Sequence, residues 1–338
     1  MREALLELLR CPGCKSELRV RDAKGDDRHI VSGTLACPSC GGSWPIAGGV
    51  PDFVASQGDP SVEQTTRGFA ANWRRYSRVI LASPALNQEL FREWIEPMRP
   101  ESFAGKAVIE AGCGMGRWLT TAVRHGPRAL VGFDYSGVVG VAYENTKHLD
   151  NVHVVRADIF RMPFPRSFDV VYSLGVVHHL PDPAGGFGAL LDVLAPDGAV
   201  VVWVYGKENN AWVEHLVSPV RRTITSRLPD RVLLALSKLL TLQLVGAARL
   251  YTRLFPKPGR FSYDAYTRHL LKYPRPYLEH IVYDHLVPEI AYYLPREEVE
   301  SWATSRGLAH SLTPRNANSW RLIAARTQTA LEAYTSEA

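Results

Sequence analysis

Four of the five cysteines form two Cys-x-x-Cys pairs near the amino terminus. Each pair can present two thiolates to one metal ion, and two pairs complete the tetrahedral sulfur site that zinc prefers. The segment between the pairs has short alternating strands with Gly and Asp turns, as a β-ribbon requires. A closed set of four thiolates favours a structural over a catalytic or redox role. The predicted zinc ligands are Cys11, Cys14, Cys37 and Cys40.

A glycine-rich segment, KAVIEAGCGMGRWL, leaves a short apolar strand and enters a helix. This order is typical of the first βαβ unit of a Rossmann-like sheet. A dinucleotide site would need a third glycine where Arg117 stands, so pyrophosphate binding is disfavoured. The next two apolar strands end in Asp134 and Asp158. Because Asp134 lies about 20 residues past the glycines, it can accept hydrogen bonds from ribose hydroxyls.

The Glu-x-Gly-x-Gly-x-Gly pattern, the two aspartates and the LAPDG turn before a fifth apolar strand resemble the class I S-adenosylmethionine (SAM) methyltransferases. The resemblance covers most of the chain from Thr65 onward and implies an α/β, Rossmann-like sheet of seven strands. It implies SAM as the cofactor, with the methionine end lying against backbone that carries no Cβ. The residues assigned to the cofactor are Glu110, Gly112, Gly114, Gly116, Asp134, Tyr135, Asp158, Ile159 and Ser173.

The run CGGSWPIAGGVPDF is similar to the end of the small zinc-ribbon protein that activates several tRNA and protein methyltransferases. This second resemblance covers about the first 55 residues. We therefore expect a four-cysteine zinc ribbon in residues 1–56, a linker and amino-terminal helices in 57–100, and a SAM methyltransferase domain in 101–338. A helical insertion after the fifth strand is expected in residues 207–295, as a lid over the acceptor.

Side chains after the fourth strand are candidates for removing a proton from the acceptor. His178 and His179 stand where the active-site mouth of such a sheet lies, and histidine titrates near neutral pH. Their run, VVHHLPD, resembles that of methyltransferases acting on quinones, sterols and sugars. His178 is the preferred base and His179 the alternative. Tyr283 is a third candidate, and the nearby Asp284 and Tyr293 could also reach the acceptor; alternatively, the tyrosines are edge residues of the core.

The leading functional prediction is methyl transfer to a small-molecule acceptor that is lipophilic or contains a sugar. Nucleic acid is not expected as a partner, because the loop after the fourth strand lacks the Asn/Asp-Pro-Pro-aromatic motif and the ribbon carries nearly balanced charge. Two alternatives remain: an RNA methyltransferase that holds nucleic acid with its ribbon, and a SAM-fold scaffold without activity.

Composition is that of a soluble globular protein. The formal charge of +5, from 39 basic and 34 acidic residues, does not demand a polyanionic partner. No signal-peptide pattern opens the chain, so a cytoplasmic location with reduced thiols is expected. The apolar stretch DRVLLALSKLLTLQLVGAARLYTRLF could pack on the core, contact a second subunit or touch a membrane, and the oligomeric state is open.

Overall fold

The computed structural model describes residues 1–54, 60–259, 263–288 and 290–335. The start of the expected linker, at residues 57–59, lies outside these ranges. The amino-terminal unit is a four-stranded antiparallel sheet in chain order. Its two Cys-x-x-Cys turns precede the first and third strands. The strands are β1 (Arg19–Gly25), β2 (Ile30–Ala36), β3 (Ser43–Ala47) and β4 (Val50–Pro51).

The large domain is built on one mixed sheet of seven strands, in the order β10-β11-β9-β8-β5-β6-β7. Strands β5 to β9 pair in parallel, and the last two strands pair antiparallel at one edge. This confirms the predicted fold class. The strands are β5 (Ala107–Ala111), β6 (Ala129–Asp134), β7 (Val152–Arg156), β8 (Phe168–Leu174), β9 (Leu194–Tyr205), β10 (Ala309–Arg315) and β11 (Ser319–Ala325).

Helices cover the sheet because its central strands are apolar on both faces. All residues of β5 are buried, as a parallel strand between two helical layers must be. The helices outside the insertion are α1 (Pro60–Leu81), α2 (Pro84–Ile95), α3 (Arg117–Ala122), α4 (Val139–Thr146), α5 (Pro183–Val193), α10 (Arg296–Thr304) and α11 (Gln328–Tyr334).

The insertion after β9 is helical, as expected. It contains α6 (Ser218–Thr223), α7 (Asp230–Leu254), α8 (Asp264–Leu270) and α9 (Arg275–Leu286). Helix α7 packs on α9, while the outward side chains of Leu239, Leu242 and Leu250 are more than half exposed. By length and composition alone, α7 is the one described helix that could cross a membrane.

The ribbon and the large domain share a hydrophobic core. Leu5, Leu35 and Ile46 of the ribbon belong to the same buried cluster as Val155 and Phe164 of the large domain. The main chain continues this contact, since the Phe53 N–H donates to the Arg156 carbonyl at 2.8 Å and the Arg10 N–H donates to the Pro163 carbonyl at 2.8 Å. The ribbon is therefore an integral layer of the fold.

Candidate active site and metal centre

The four cysteines of the ribbon converge on one point. Their sulfur atoms all lie within 4.8 Å of one another, with two buried and two exposed side chains. Four soft thiolates at this separation fit the tetrahedral coordination of Zn²⁺ and leave no ligand position for a substrate. The residues that would hold the ion are Cys11, Cys14, Cys37 and Cys40.

The two Cys-x-x-Cys turns have matching backbone geometry. The Lys15 N–H donates to the Cys11 carbonyl at 2.9 Å, and the Gly41 N–H donates to the Cys37 carbonyl at 3.0 Å. Lys15 and Gly41 both have positive φ, 60° and 74°. Each turn is closed by this hydrogen bond just after its second cysteine. The two thiols of the pair then point to the same side of the turn.

The glycine-rich turn after β5 is held by the neighbouring strand. The Gly112 N–H donates to the Phe133 carbonyl at 2.8 Å, and the Gly114 N–H donates to Asp134 Oδ2 at 2.9 Å. Gly112 has φ +79°, and a Cβ there would lie 2.3 Å from Val176 Cγ2. The turn therefore requires glycine for both conformation and space.

Asp134 is fixed at the carboxyl end of β6. Its Oδ1 accepts hydrogen bonds from the Ser136 N–H at 2.8 Å and the Ser136 hydroxyl at 2.7 Å. Burial raises the pKa of Asp134, and the hydrogen bonds from Ser136 and Gly114 oppose that shift. The carboxylate is thus oriented before any ligand binds, with one edge toward the glycine turn.

A cavity of about 1460 Å³ opens beside this turn. The ribbon, the carboxyl edge of the sheet and the insertion all contribute to its wall. Six of the nine predicted cofactor residues line it: Gly112, Gly114, Asp134, Tyr135, Asp158 and Ile159.

The other three predicted cofactor residues are absent from the cavity wall. Glu110 is buried and accepts a hydrogen bond from the Tyr172 hydroxyl at 3.1 Å. The Ser173 hydroxyl donates to the Ala111 carbonyl at 3.0 Å. Gly116, with φ +83°, precedes α3 and packs near Ala142. From these positions the three residues can stabilise the glycine turn without contacting a ligand in the cavity.

The two histidines after β8 occupy different environments. His178 is fully buried against Tyr205, at 3.9 Å between ring centroids, and neither ring nitrogen has a described partner. His179 lines the cavity, with Nδ1 at 2.6 Å from the Ile290 carbonyl oxygen. Burial lowers the pKa of both rings, to about 4 for His179. Both are therefore neutral at pH 7, and only His179 faces the cavity.

Tyr283 lies outside the cavity wall. Its hydroxyl donates to Asp230 Oδ1 at 2.5 Å, and Asp230 also forms an ion pair with Arg75. The tyrosine thereby ties α9 to the start of α7 and to α1. Its neighbour Asp284 does line the cavity, as does Tyr293.

Two aromatic and basic side chains near the turn escaped sequence reasoning. Trp73 lies over the glycine turn, 3.5 Å from where a Cβ of Gly114 would stand. Arg117 is buried against the Trp118 ring, with its guanidinium carbon 3.7 Å from the ring centroid. The aromatic and arginine-rich run TTRGFAANWRRYS was the available signal for Trp73, but its orientation depends on contacts between distant segments.

Comparison with known families agrees with this geometry. Residues 109–202 match the family described as a methyltransferase domain, and residues 2–49 match the family described as Trm112p-like protein. The chain carries a methyltransferase domain. Its fold is that of SAM-binding methyltransferases. The matched families and the four-cysteine cluster confirm the predictions of a SAM cofactor and a zinc-binding site.

Two relatives carry the same name, tRNA U34 carboxymethyltransferase. The protein of Pseudoalteromonas translucida is 30% identical over 125 residues, which are 35% of this chain and 37% of that protein. The protein of Cronobacter sakazakii is 34% identical over 117 residues, 32% of this chain and 36% of that protein. The chain thus spans just over a third of the length of these relatives.

Solved structures resemble the chain more loosely. A complex of the Haloferax volcanii Trm112 methyltransferase activator with a methyltransferase is 13% identical, with a TM-score of 0.46, and the match covers 79% of this chain and 98% of that chain. The DhpI–SAH complex is 14% identical, with a TM-score of 0.49, and covers 80% and 100%.

The predicted partners need correction. The expectation of a small-molecule acceptor without nucleic acid is contradicted by relatives that are named for a tRNA. That expectation rested on the motif missing from the loop after the fourth strand and on the nearly balanced charge of the ribbon. Positive charge is concentrated elsewhere, because residues 207–257 of the insertion contain nine basic and three acidic side chains. Residues 207–257 therefore carry a local excess of positive charge that the ribbon lacks.

We expect Asp134 to bind the ribose of SAM. Replacing Asp134 by Asn should then weaken SAM binding at least about tenfold, because the neutral amide loses charge-assisted hydrogen bonding to the ribose and the hydrogen bond with the glycine turn. Calorimetry measures the affinity. Asp192→Asn, an exposed substitution of the same kind, is the control and should leave affinity unchanged. Equal affinities for the two variants would show that the ribose is held elsewhere.

Proposed function

We propose that this protein transfers a methyl group from SAM to a base of RNA, with tRNA as the substrate class. The observation that carries the proposal is the aromatic cavity beside the glycine turn. An enzyme that modifies a base acts on a single strand or takes the base out of its stack, and it holds that base in a pocket.

The cavity has the composition that suits a nucleobase. Trp94 and Trp203 stack at 4.2 Å between ring centroids, and Tyr205 and Tyr293 stack at 5.4 Å. Stacking of a base on such rings contributes about 1–3 kcal/mol and is tolerant of base identity. All four rings line the cavity whose wall includes the glycine turn.

The insertion offers charge for the RNA backbone. Helix α7 contributes Leu240 and Leu244 to the cavity wall. Basic residues of the insertion neutralise phosphates and release counterions. The exposed ones are Lys207, Arg222, Arg227, Arg231, Lys238, Arg249, Arg253 and Lys257.

The names of the relatives support the same substrate class, and the methyltransferase domain supplies the donor chemistry. SAM brings an activated methyl group, so the chain has to position the acceptor and accept its proton. His178, His179 and Tyr283 stay proposals for that proton; of the three, only His179 lines the cavity.

The test uses SAM labelled in its methyl group and unfractionated bacterial tRNA. We expect the label to become acid-precipitable and to be released by ribonuclease. If the label enters no RNA, or if ribonuclease leaves it in place, the proposal fails.

A charge-removal variant tests the role of the insertion. Arg227→Ala/Arg231→Ala/Lys238→Ala should weaken tRNA binding and flatten the dependence of log Kd on log salt by roughly 0.7–0.9 for each phosphate that is no longer neutralised. The matched control, Arg124→Ala/Arg128→Ala/Arg166→Ala, removes three charges near the amino ends of the strands, at the opposite edge of the sheet from the cavity. If log Kd depends on log salt with the same slope in both variants, the insertion does not bind the RNA backbone.

A further inference from the structure

A polar cluster on α1 and α9 forms part of the cavity wall. Asn72 Nδ2 lies 2.6 Å from Asp284 Oδ1 and 2.8 Å from His280 Nδ1. His280 Nε2 lies 3.4 Å from Asp284 Oδ2. Because Nδ1 accepts from the amide of Asn72, the ring proton is on Nε2 and faces the carboxylate. Asp284 Oδ1 is thus oriented by the neutral amide of Asn72, and Oδ2 lies beside the imidazole of His280.

The indole of Trp73 lies between this cluster and the glycine turn after β5. Trp73 lies 3.5 Å from where a Cβ of Gly114 would stand, and its ring centroid is 4.4 Å from that of His280. The side chain of Asp284 is 21% exposed and lines the cavity. A ligand atom beside the glycine turn can therefore lie near this carboxylate.

Among the four carboxylates of the described cavity wall, Asp284 is the one with neither an arginine ion pair nor a hydrogen bond from a main-chain N–H. Asp52 forms an ion pair with Arg156 at 2.8 Å. Asp134 binds the glycine turn, and Asp158 accepts from the Phe160 N–H at 2.9 Å. Among the described residues, Asp284 has no Lys or Arg within 4.0 Å.

The electrostatics suit a base that works near neutral pH. Burial raises the pKa of Asp284 to about 7, while the hydrogen bond from Asn72 and the charge of Arg117 oppose that rise. The titratable groups that face it are His280 and Tyr277 on α9, Tyr205 on β9 and Arg117 on α3. Burial lowers the pKa of His280 to about 3 and raises those of both tyrosines, so all three are neutral at pH 7.

We infer that Asp284 accepts the proton that the RNA acceptor loses during methyl transfer, an inference that rests on the proposed function. The acceptor O–H or N–H bond breaks and its proton passes to the carboxylate. The freed electron pair forms the bond to the methyl carbon. The S–CH₃ bond breaks and its electrons return to sulfur, which leaves neutral S-adenosylhomocysteine.

Asp284→Asn keeps the shape of the side chain and removes the base. With methyl-labelled SAM and unfractionated tRNA, the single-turnover rate should fall by about 100-fold or more, while SAM affinity by calorimetry stays unchanged. The wild-type rate should rise with pH through about 7, because the carboxylate must be ionised. The variant should lack this inflection. A full rate, or a retained inflection, would overturn the assignment.

A second variant separates a proton acceptor from a merely structural residue. Asn72→Ala removes a hydrogen bond that favours the ionised form, so the inflection of the rate should move to higher pH. An unmoved inflection in a variant that still binds SAM counts against Asp284.

The assignment can also be tested without an RNA acceptor. Infrared difference spectra between wild type and Asp284→Asn should show one carboxyl group titrating near pH 7. Titration well below that value would overturn the inference. If tRNA takes up no methyl group but the carboxyl titrates as expected, the proposed substrate fails while the proton acceptor is retained.

Discussion

Removal of the metal from the cysteine cluster is expected to destabilise the whole chain and not only the ribbon. Structural zinc supplies on the order of 10–16 kcal/mol of apparent binding free energy to small zinc units, which unfold without it. Here the unfolded ribbon would also expose the Val155 and Phe164 side of the shared core. The sheet therefore loses a packed layer when the ribbon loses its ion.

Calorimetric unfolding with and without a chelator measures the effect. Loss of about 3 kcal/mol from the shared core lowers the melting temperature of a domain this size by roughly 6–12 °C. Cys14→Ser should reproduce the shift and abolish bound zinc in elemental analysis. Cys113→Ala, which changes the cysteine outside the cluster, should leave zinc content intact. An unchanged melting temperature of the methyltransferase domain after zinc loss would show that the ribbon folds as a separate unit.

The parts of the site that the sequence predicted are those set by local pattern. The cysteine pairs, the glycine turn and the aspartates that end β6 and follow β7 come from spacing and from apolar strands. Since parallel strands present their carboxyl ends at one edge, Asp134 and Asp158 had to lie near the glycine turn. Their assigned contacts with SAM remain predictions.

The histidine loop shows where local pattern stops being sufficient. His178 and His179 are adjacent in sequence, yet only one lines the cavity. The segment that orients them lies more than 110 residues away, through the contact of His179 with the Ile290 carbonyl and the hydrogen bond from the Tyr292 N–H to the His178 carbonyl. The sequence pattern around the two histidines does not indicate which ring these distant contacts direct toward the cavity.

The sequence predicts that Asp284 can reach the acceptor, but it does not show that Asp284 is a better proton acceptor than the histidines. The reason is again a contact between segments that are distant in sequence. Its partner Asn72 is 212 residues away in sequence, and the pairing depends on α1 lying beside α9. The nature of the acceptor was mistaken for a different reason. The prediction used a single missing motif and the charge of the ribbon, and it did not take the basic side chains of the insertion as a surface for RNA.

Gly112→Ala is expected to lower SAM affinity by about 100-fold. Adopting the left-handed φ of +79° costs a residue with a Cβ about 1–2 kcal/mol. The added Cβ would also lie 2.3 Å from Val176 Cγ2, and a β-branched valine has few rotamers with which to yield. Relief of both strains should move the turn away from the position where we expect it to contact the methionine end of SAM.

Matched variants separate strain in the turn from a general loss of stability. Gly140→Ala also adds a Cβ, but to a helix, where nothing lies within 4 Å and φ is not positive, so SAM affinity should be unchanged and stability slightly higher. Val176→Ala combined with Gly112→Ala removes the clash and keeps the backbone strain, so about half of the lost binding free energy should return. If calorimetry finds no recovery in the double variant, Val176 is not the obstacle. If Gly112→Ala alone binds SAM normally, the cofactor does not lie on this turn.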